Sequence, residues 1–254
     1  MPYNADMSVS VIPTLQLEHS LAESGADVII SFDEVGRGAL AGPVMVGASA
    51  IWARDVENLN VPEGVADSKM LTPHKREQIV QSLKDWCAAW AVGSASNKEI
   101  DTYGISAALG MAALRAIAQV EEHMIAQAAG APRARDGWQP ELPMDWNPQL
   151  TFAGILDGPY DYITKAANAI DAPATPAPVH ITTKVKADQS CATVACAAVI
   201  AKVTRDNIME RLATQERYAP YAWDHNKGYG SAAHKQAIRE FGPSDLHRTS
   251  WHLQ

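Results

Sequence analysis

The stretch Ala26–Val44, "ADVIISFDEVGRGALAGPV", decides how the rest of this 254-residue chain is read. Its first part, "ADVIISF", is apolar and β-branched, the pattern of a strand buried on both faces. The strand is expected to end at Asp33, where the acid pair Asp33–Glu34 precedes Arg37, held between Gly36 and Gly38. Adjacent strand residues point to opposite faces, so the two acids share a site only if the strand stops there; Gly36 makes the stop plausible. After Pro43, "PVMVGASAIWA" continues in the same style, as a hairpin-like neighbour.

Working outward, residues 1–26 lack a clear period and are expected to form a loose N-terminal arm. Downstream, Thr72 as N-cap and Pro73 as first helical residue open an amphipathic helix with Ile79, Leu83, Trp86 and Trp90 at helical spacing. A strand "WAVGSAS", a helix over about 105–128, strands in "LTFAGILD" and "VHITTKVKAD", a long helix over about 191–215 and a last helix over about 232–241 follow. Two Pro-rich stretches, 130–149 and 171–179, read as surface loops, because strand-like runs resume at once beyond them. Strands interleaved with helices predict an α/β domain with a mixed sheet flanked by helices. The expected division is an arm over 1–26, a catalytic sheet over about 27–215 and a small C-terminal helical segment over about 216–254.

At 254 residues and 47% hydrophobic content the chain buries a full core. No window approaches 18 uncharged apolar residues, and the N-terminus lacks the basic start and apolar run of a secretory signal, so a cytoplasmic protein without a membrane contact is expected. Cys87, Cys191 and Cys196, without CxxC spacing, fit buried reduced thiols. The net charge is −8, yet residues 182–248 carry ten Lys and Arg against seven Asp and Glu, while the remainder carries eleven against twenty-two. A locally basic face on an acidic protein is therefore compatible with a polyanionic partner.

Three expected strands end in acid: Asp33–Glu34, Asp157 and Asp188. Functional groups of open α/β sheets gather at strand carboxyl ends, so four carboxylates are expected at one rim. Four uncompensated acids repel one another, which calls for hard cations such as Mg²⁺ or Mn²⁺, and two such ions promote hydrolysis of a phosphodiester. "GRGALAG" lacks the Lys-Ser/Thr ending of a Walker loop and the spacing of a dinucleotide fingerprint, which sets nucleotide binding aside.

In order along the chain, "DEVGRGALAGPV", "DSKMLTPHKRE", "LDG", "KAD", "AAVIAKVTRD", "NKGYGS" with a following His, and "GPSDLHRTSW" together resemble the ribonuclease HII family, the type 2 ribonucleases H. The resemblance implies a ribonuclease H-like fold and a monomeric endonuclease that hydrolyses the RNA strand of RNA–DNA hybrids. It further implies incision 5′ of single ribonucleotides in duplex DNA, leaving 5′-phosphate and 3′-hydroxyl ends. Carried over by motif, Asp33, Glu34, Asp157 and Asp188 are the catalytic acids holding a two-metal Mn²⁺ or Mg²⁺ site, and Asp206 is a supporting position. Gly36, Arg37 and Gly38 would contact the ribonucleotide and its phosphate, Tyr229 would stack on the next sugar, and Ser68, Lys69, Lys75 and Arg76 would contact phosphates. Lys202, His247 and Arg248 are secondary candidates for nucleic-acid contact. Phe32, where the family commonly has Gly, is a departure, as is "CAAVIAKV".

Overall fold

A computed structural model describes residues 12–65, 71–130 and 149–253. Its centre is the opening stretch: β1 (Val28–Val35) is buried along nearly its whole length because it has a strand on each side and a helix on each face. β2 (Val44–Trp52) pairs antiparallel with β1, and β3 (Ala89–Ala95) pairs antiparallel with β2. On the other side β4 (Phe152–Asp157) runs parallel to β1, and β5 (Val179–Lys184) parallel to β4. The five-stranded mixed sheet has the order β3-β2-β1-β4-β5.

The helices are α1 (Gln16–Glu23), α2 (Pro73–Trp86), α3 (Asn97–Tyr103), α4 (Ile105–Ala128), α5 (Tyr162–Ala167), α6 (Ala187–Ser190), α7 (Ala192–Ala213), α8 (Trp223–Asn226) and α9 (Ala232–Phe241). α4 covers one face of the sheet and α7 the other, and the core splits accordingly. Val28, Ile30 and Phe32 pack on the α4 side, whereas Ile29 joins Ala192 and Val194 of α7. That alternation is the period-2 geometry of a strand covered on both faces. Thr72 caps α2 by accepting from Lys75 N at 3.2 Å, with Pro73 in the first turn, as its sequence predicts.

The segment before β1 is not loose. α1 packs Leu17 and Leu21 against Ile29, Ile155 and Val194, and its Glu18 is fully buried. Glu18 Oε1 accepts from Thr193 N at 3.1 Å and Thr193 Oγ1 at 2.6 Å, so a carboxylate from the start of the chain caps α7, whose own N-cap Cys191 provides no side-chain bond. The helix escaped sequence reading because it has eight residues, no side-chain cap and a charged residue on its inner face. Of the two Pro-rich stretches, 171–178 is a connection between α5 and β5, and 131–148 lies outside the described residues. The three cysteines are buried and unbridged. No helix among the described residues is long and apolar enough to cross a membrane.

Candidate active site

β1 does not stop at Asp33. It continues to Val35 on the β2 side, with Asp33 opposite Gly47 and Glu34 opposite Val46, but its pairing with β4 ends at Phe32 opposite Leu156. The acid pair therefore shares a site through a one-sided end of the ladder rather than through the strand break expected from Gly36. Ser31 Oγ meets Thr193 Oγ1 of α7 at 2.6 Å, so by alternation Asp33 lies on the α7 face. Glu34 lies on the opposite face with Phe32, and Asp157, the last residue of β4, shares the face of Ile155 and Asp33. Asp33, Glu34 and Asp157 line one cleft of about 350 Å³, together with Gly36, Arg37, Gly38, Arg76, Lys202 and Tyr229.

Each acid has a partner. Asp33 Oδ1 accepts from the N–H of Glu34 at 2.8 Å. Glu34 Oε1 pairs with Arg37 Nη1 at 3.3 Å, and the Tyr162 hydroxyl donates to Oε2 at 3.4 Å. Asp157 Oδ1 accepts from Ala187 N at 2.7 Å, which ties the start of α6 to the end of β4. Asp188 departs from expectation: β5 ends at Lys184, the chain turns through Lys186 at φ +57°, and Asp188 sits buried in the one-turn α6 rather than at a strand end. It does not line the cleft with the other three.

Carboxylate oxygens alone, without thiol or imidazole, form the acidic wall of the cleft, a donor set suited to a hard divalent cation. Among the described residues, no group of three or more acids, histidines or cysteines stands close enough to hold an ion. Glu34 is turned toward Arg37 and Asp157 toward the Ala187 amide, so the donors fit such an ion in kind while their present rotamers face other partners.

The glycine loop is held from behind by two fully buried arginines. Arg205 donates through Nε to Pro43 O at 3.0 Å, through Nη1 to Lys227 O at 2.9 Å and through Nη2 to Ala41 O at 3.1 Å. Arg248 donates through Nη2 to Gly36 O at 2.6 Å, through Nη1 to Arg37 O at 2.8 Å and through Nε to Gly42 O at 3.3 Å. Gly36 has φ +82°, and a Cβ there would collide with the Arg205 guanidinium; a Cβ on Gly38 would meet nothing within 4 Å. The two glycines thus answer to different demands.

Tyr229 closes the loop from above, its hydroxyl accepting from Gly36 N at 3.2 Å and its ring 5.4 Å from the Arg205 guanidinium. Its carbonyl is fixed by His234 Nδ1 at 2.9 Å. Trp223 Nε1 donates to His234 Nε2 at 3.1 Å, and Ser244 N donates to His247 Nδ1 at 2.9 Å. Both imidazoles are therefore assigned as neutral: His234 carries its proton on Nδ1, and His247 carries its own on Nε2, aimed at His234 Nε2 3.1 Å away. Burial lowers the pKa of both, His247 to about 4.

The remaining candidates divide. Arg76 is buried, lines the cleft and donates to Leu71 O at 2.7 Å, while Lys75 is exposed on the first turn of α2. Ser68 and Lys69 lie outside the described residues. Lys202 lines the cleft and pairs with Asp206 at 2.8 Å. His247 and Arg248 are buried and face the protein interior, so neither is a nucleic-acid contact, and of the ten Lys and Arg counted in 182–248, Arg205 and Arg248 serve the scaffold. Sequence reading missed Tyr162, whose burial and proximity to Glu34 and Asp33 raise its pKa well above the ordinary phenol value. The signal available was an aromatic residue five positions beyond Asp157, at the start of α5.

A family model described as Ribonuclease HII matches residues 30–129 and 160–254. The chain is 39% identical to the ribonuclease HII of Streptomyces griseus, covering 94% of this chain and 84% of that protein. It is 33% identical to that of Alkaliphilus oremlandii, covering 94% and 98%. Among solved structures, the ribonuclease H2 of Pyrococcus horikoshii OT3 superposes with a TM-score of 0.54 at 24% identity, over 89% of this chain and 94% of that one. Bst-RNase HIII in complex with Mn²⁺ superposes with a TM-score of 0.59 at 18% identity, over 91% and 70%. With a ribonuclease H-type sheet, and relatives this similar over nearly their whole lengths, the chain belongs to the ribonuclease HII family of endonucleolytic hydrolases.

Proposed function

We propose that the protein cuts the RNA strand of RNA–DNA hybrids and nicks duplex DNA 5′ of single embedded ribonucleotides, with Asp33, Glu34, Asp157 and Asp188 as its catalytic acids. The observation that carries this reading is one cleft lined both by three carboxylates and by the glycine-flanked Arg37 loop, whose Gly38 is open on its outer side. The acids would hold two Mn²⁺ or Mg²⁺ ions, with Asp188 joining from α6, whose first amide is bonded to Asp157. Bound there, such ions neutralise charge developing on the phosphate oxygens and lower the pKa of the attacking water.

The chain's own groups do the rest. The Arg37–Glu34 pair is half-exposed, and such pairs contribute only about 0–1 kcal/mol, so Arg37 is free to exchange Glu34 for a substrate phosphate. Tyr162, kept protonated, donates to Glu34 and limits its swing. Gly38 leaves the loop tip bare, so the backbone reaches the shallow minor groove in which a 2′-hydroxyl is displayed. Tyr229, with its hydroxyl tied to Gly36, offers its ring to the neighbouring sugar.

The test is cleavage by purified protein, in Mg²⁺ and in Mn²⁺, of three duplexes: RNA–DNA hybrid, DNA with one ribonucleotide, and all-DNA. A single nick 5′ of the ribonucleotide, leaving 5′-phosphate and 3′-hydroxyl ends, with the hybrid cut and all-DNA intact, is the expected pattern. Folded protein that leaves both RNA-containing substrates whole in both metals overturns the reading.

A further inference from the structure

The amides of the glycine loop are used unevenly. Gly36 N donates to the Tyr229 hydroxyl, Ala39 N to Gly36 O, Leu40 N and Ala41 N to Gly228 O, and Gly42 N to Leu246 O. Between these lie Arg37 N and Gly38 N, which meet no acceptor among the described residues. Both residues are exposed and line the cleft. Two adjacent amides without partners, at the tip of a loop otherwise fully bonded, need an account.

The account lies behind the loop. In a trans peptide the carbonyl and the following N–H point in opposite directions, and the described residues contain no cis bonds. Arg248 draws the carbonyls of Gly36 and Arg37 inward, at 2.6 and 2.8 Å. The N–H groups on those same two planes, of Arg37 and Gly38, are thereby turned outward. Arg205 holds the far side of the loop through Ala41 and Pro43, which keeps the tip from rotating. Successive outward amides form a concavity that binds anions.

We infer that Arg205 and Arg248 are positioning residues that aim the Arg37 and Gly38 amides into the cleft to bind the oxygens of a substrate phosphate. Neither arginine reaches substrate, since both are fully buried. Burial lowers the pKa of both, Arg248 to about 9, so the latter remains charged at neutral pH. No carboxylate is bonded to either guanidinium among the described residues, and their charge stands behind the loop, favouring an anion in front. A lysine cannot replace either, because a single ammonium cannot reproduce the planar fork that spans three carbonyls. Gly36 fits the same design: any side chain there would occupy the seat of Arg205.

The inference rests on the hybrid-cleaving reading, and its test separates the two. Binding of a labelled RNA–DNA hybrid is measured without divalent metal across a salt series, for the wild type, Arg205→Lys and Arg248→Lys, with melting temperatures alongside. The expected result is folded variants that bind about 10-fold more weakly with an unchanged salt slope, because neutral amides displace no condensed counterions and the lysine keeps the charge. Folded lysine variants with wild-type affinity overturn the inference. Should the variants fail to fold, backbone amide spectra of the wild type decide: the Arg37 and Gly38 resonances shift on adding hybrid, and if neither moves while others do, the inference falls. Failure of the wild type itself to bind or cut any RNA-containing duplex instead overturns the underlying reading.

Discussion

The front and back of the glycine loop hold charge in opposite ways. In front, Asp33, Glu34 and Asp157 face a cleft, each with few partners, and the Arg37–Glu34 pair is half-exposed. Behind, Arg205 and Arg248 are fully buried, and each is bonded to three backbone carbonyls. Exposed pairs are worth about 0–1 kcal/mol and are exchanged easily, whereas truncating a buried, bonded charge costs about 3–5 kcal/mol. Groups proposed to meet substrate therefore have replaceable partners, and groups that fix geometry are bonded to carbonyls that a ligand cannot displace.

The sharpest way to break this contrast is Asp33→Asn. Asparagine keeps the oxygen that accepts from Glu34 N, so the fold should hold, while the lost charge should reduce cleavage at least about 10³-fold, equivalent to about 4 kcal/mol in the barrier. A melting curve beside a cleavage assay checks it; a parallel loss of stability would mean that the front is as structural as the back. Next come the two glycines. Gly36→Ala forces a Cβ into Arg205 at φ +82° and should cost about 2–3 kcal/mol of unfolding free energy, whereas Gly38→Ala should leave stability unchanged and weaken ribonucleotide incision about 10-fold. Denaturant melts and kinetics on both variants separate the demands of fold and substrate.

A smaller effect is pH dependence of opposite sign at two buried sites. The His234–His247 pair is neutral when folded and gains protons near pH 6.5 when unfolded, so its contribution is complete above pH 6.5 and is lost as pH falls toward 4. Glu121 behaves inversely. Burial raises its pKa to about 8 against 4.5 when unfolded, so stability falls as pH rises from 4.5 to 8. Urea melts at pH 5, 6.5 and 8 should show the loss above 6.5 in the wild type but not in Glu121→Gln, which should in turn expose the histidine slope below 6.5. The smallest expected effect is Glu18→Ala, which removes the cap on α7 and should lower stability by about 1–2 kcal/mol in the same melts with cleavage chemistry unchanged.

What the sequence made legible were features written in neighbouring residues. The apolar run of β1 and the spans of α4 and α9 emerged as read, because period and caps are local signals. The cleft was legible through Asp33, Glu34 and Asp157, all at or near strand ends. Asp188 was misplaced because the turn depends on Lys186 adopting a left-handed conformation that its residue type does not announce. Arg248 was read as a possible grip on nucleic acid, since a basic side chain gives no sign that its partners are backbone carbonyls some 206 to 212 residues away. The arm at 12–26 was taken as loose for the same reason: the seat of Glu18 is Thr193.

That seat has a consequence for the order of events during synthesis. Thr14 and Glu18 leave the ribosome well before their partners Ser190 and Thr193, which lie 176 and 175 residues later. At about 5–20 residues per second the first helix waits roughly 10–35 seconds for the surface it covers. The β1–β2 hairpin is complete long before that moment. The α1 segment thus locks only after α7 has been made, and it does so by capping the helix that carries Arg205.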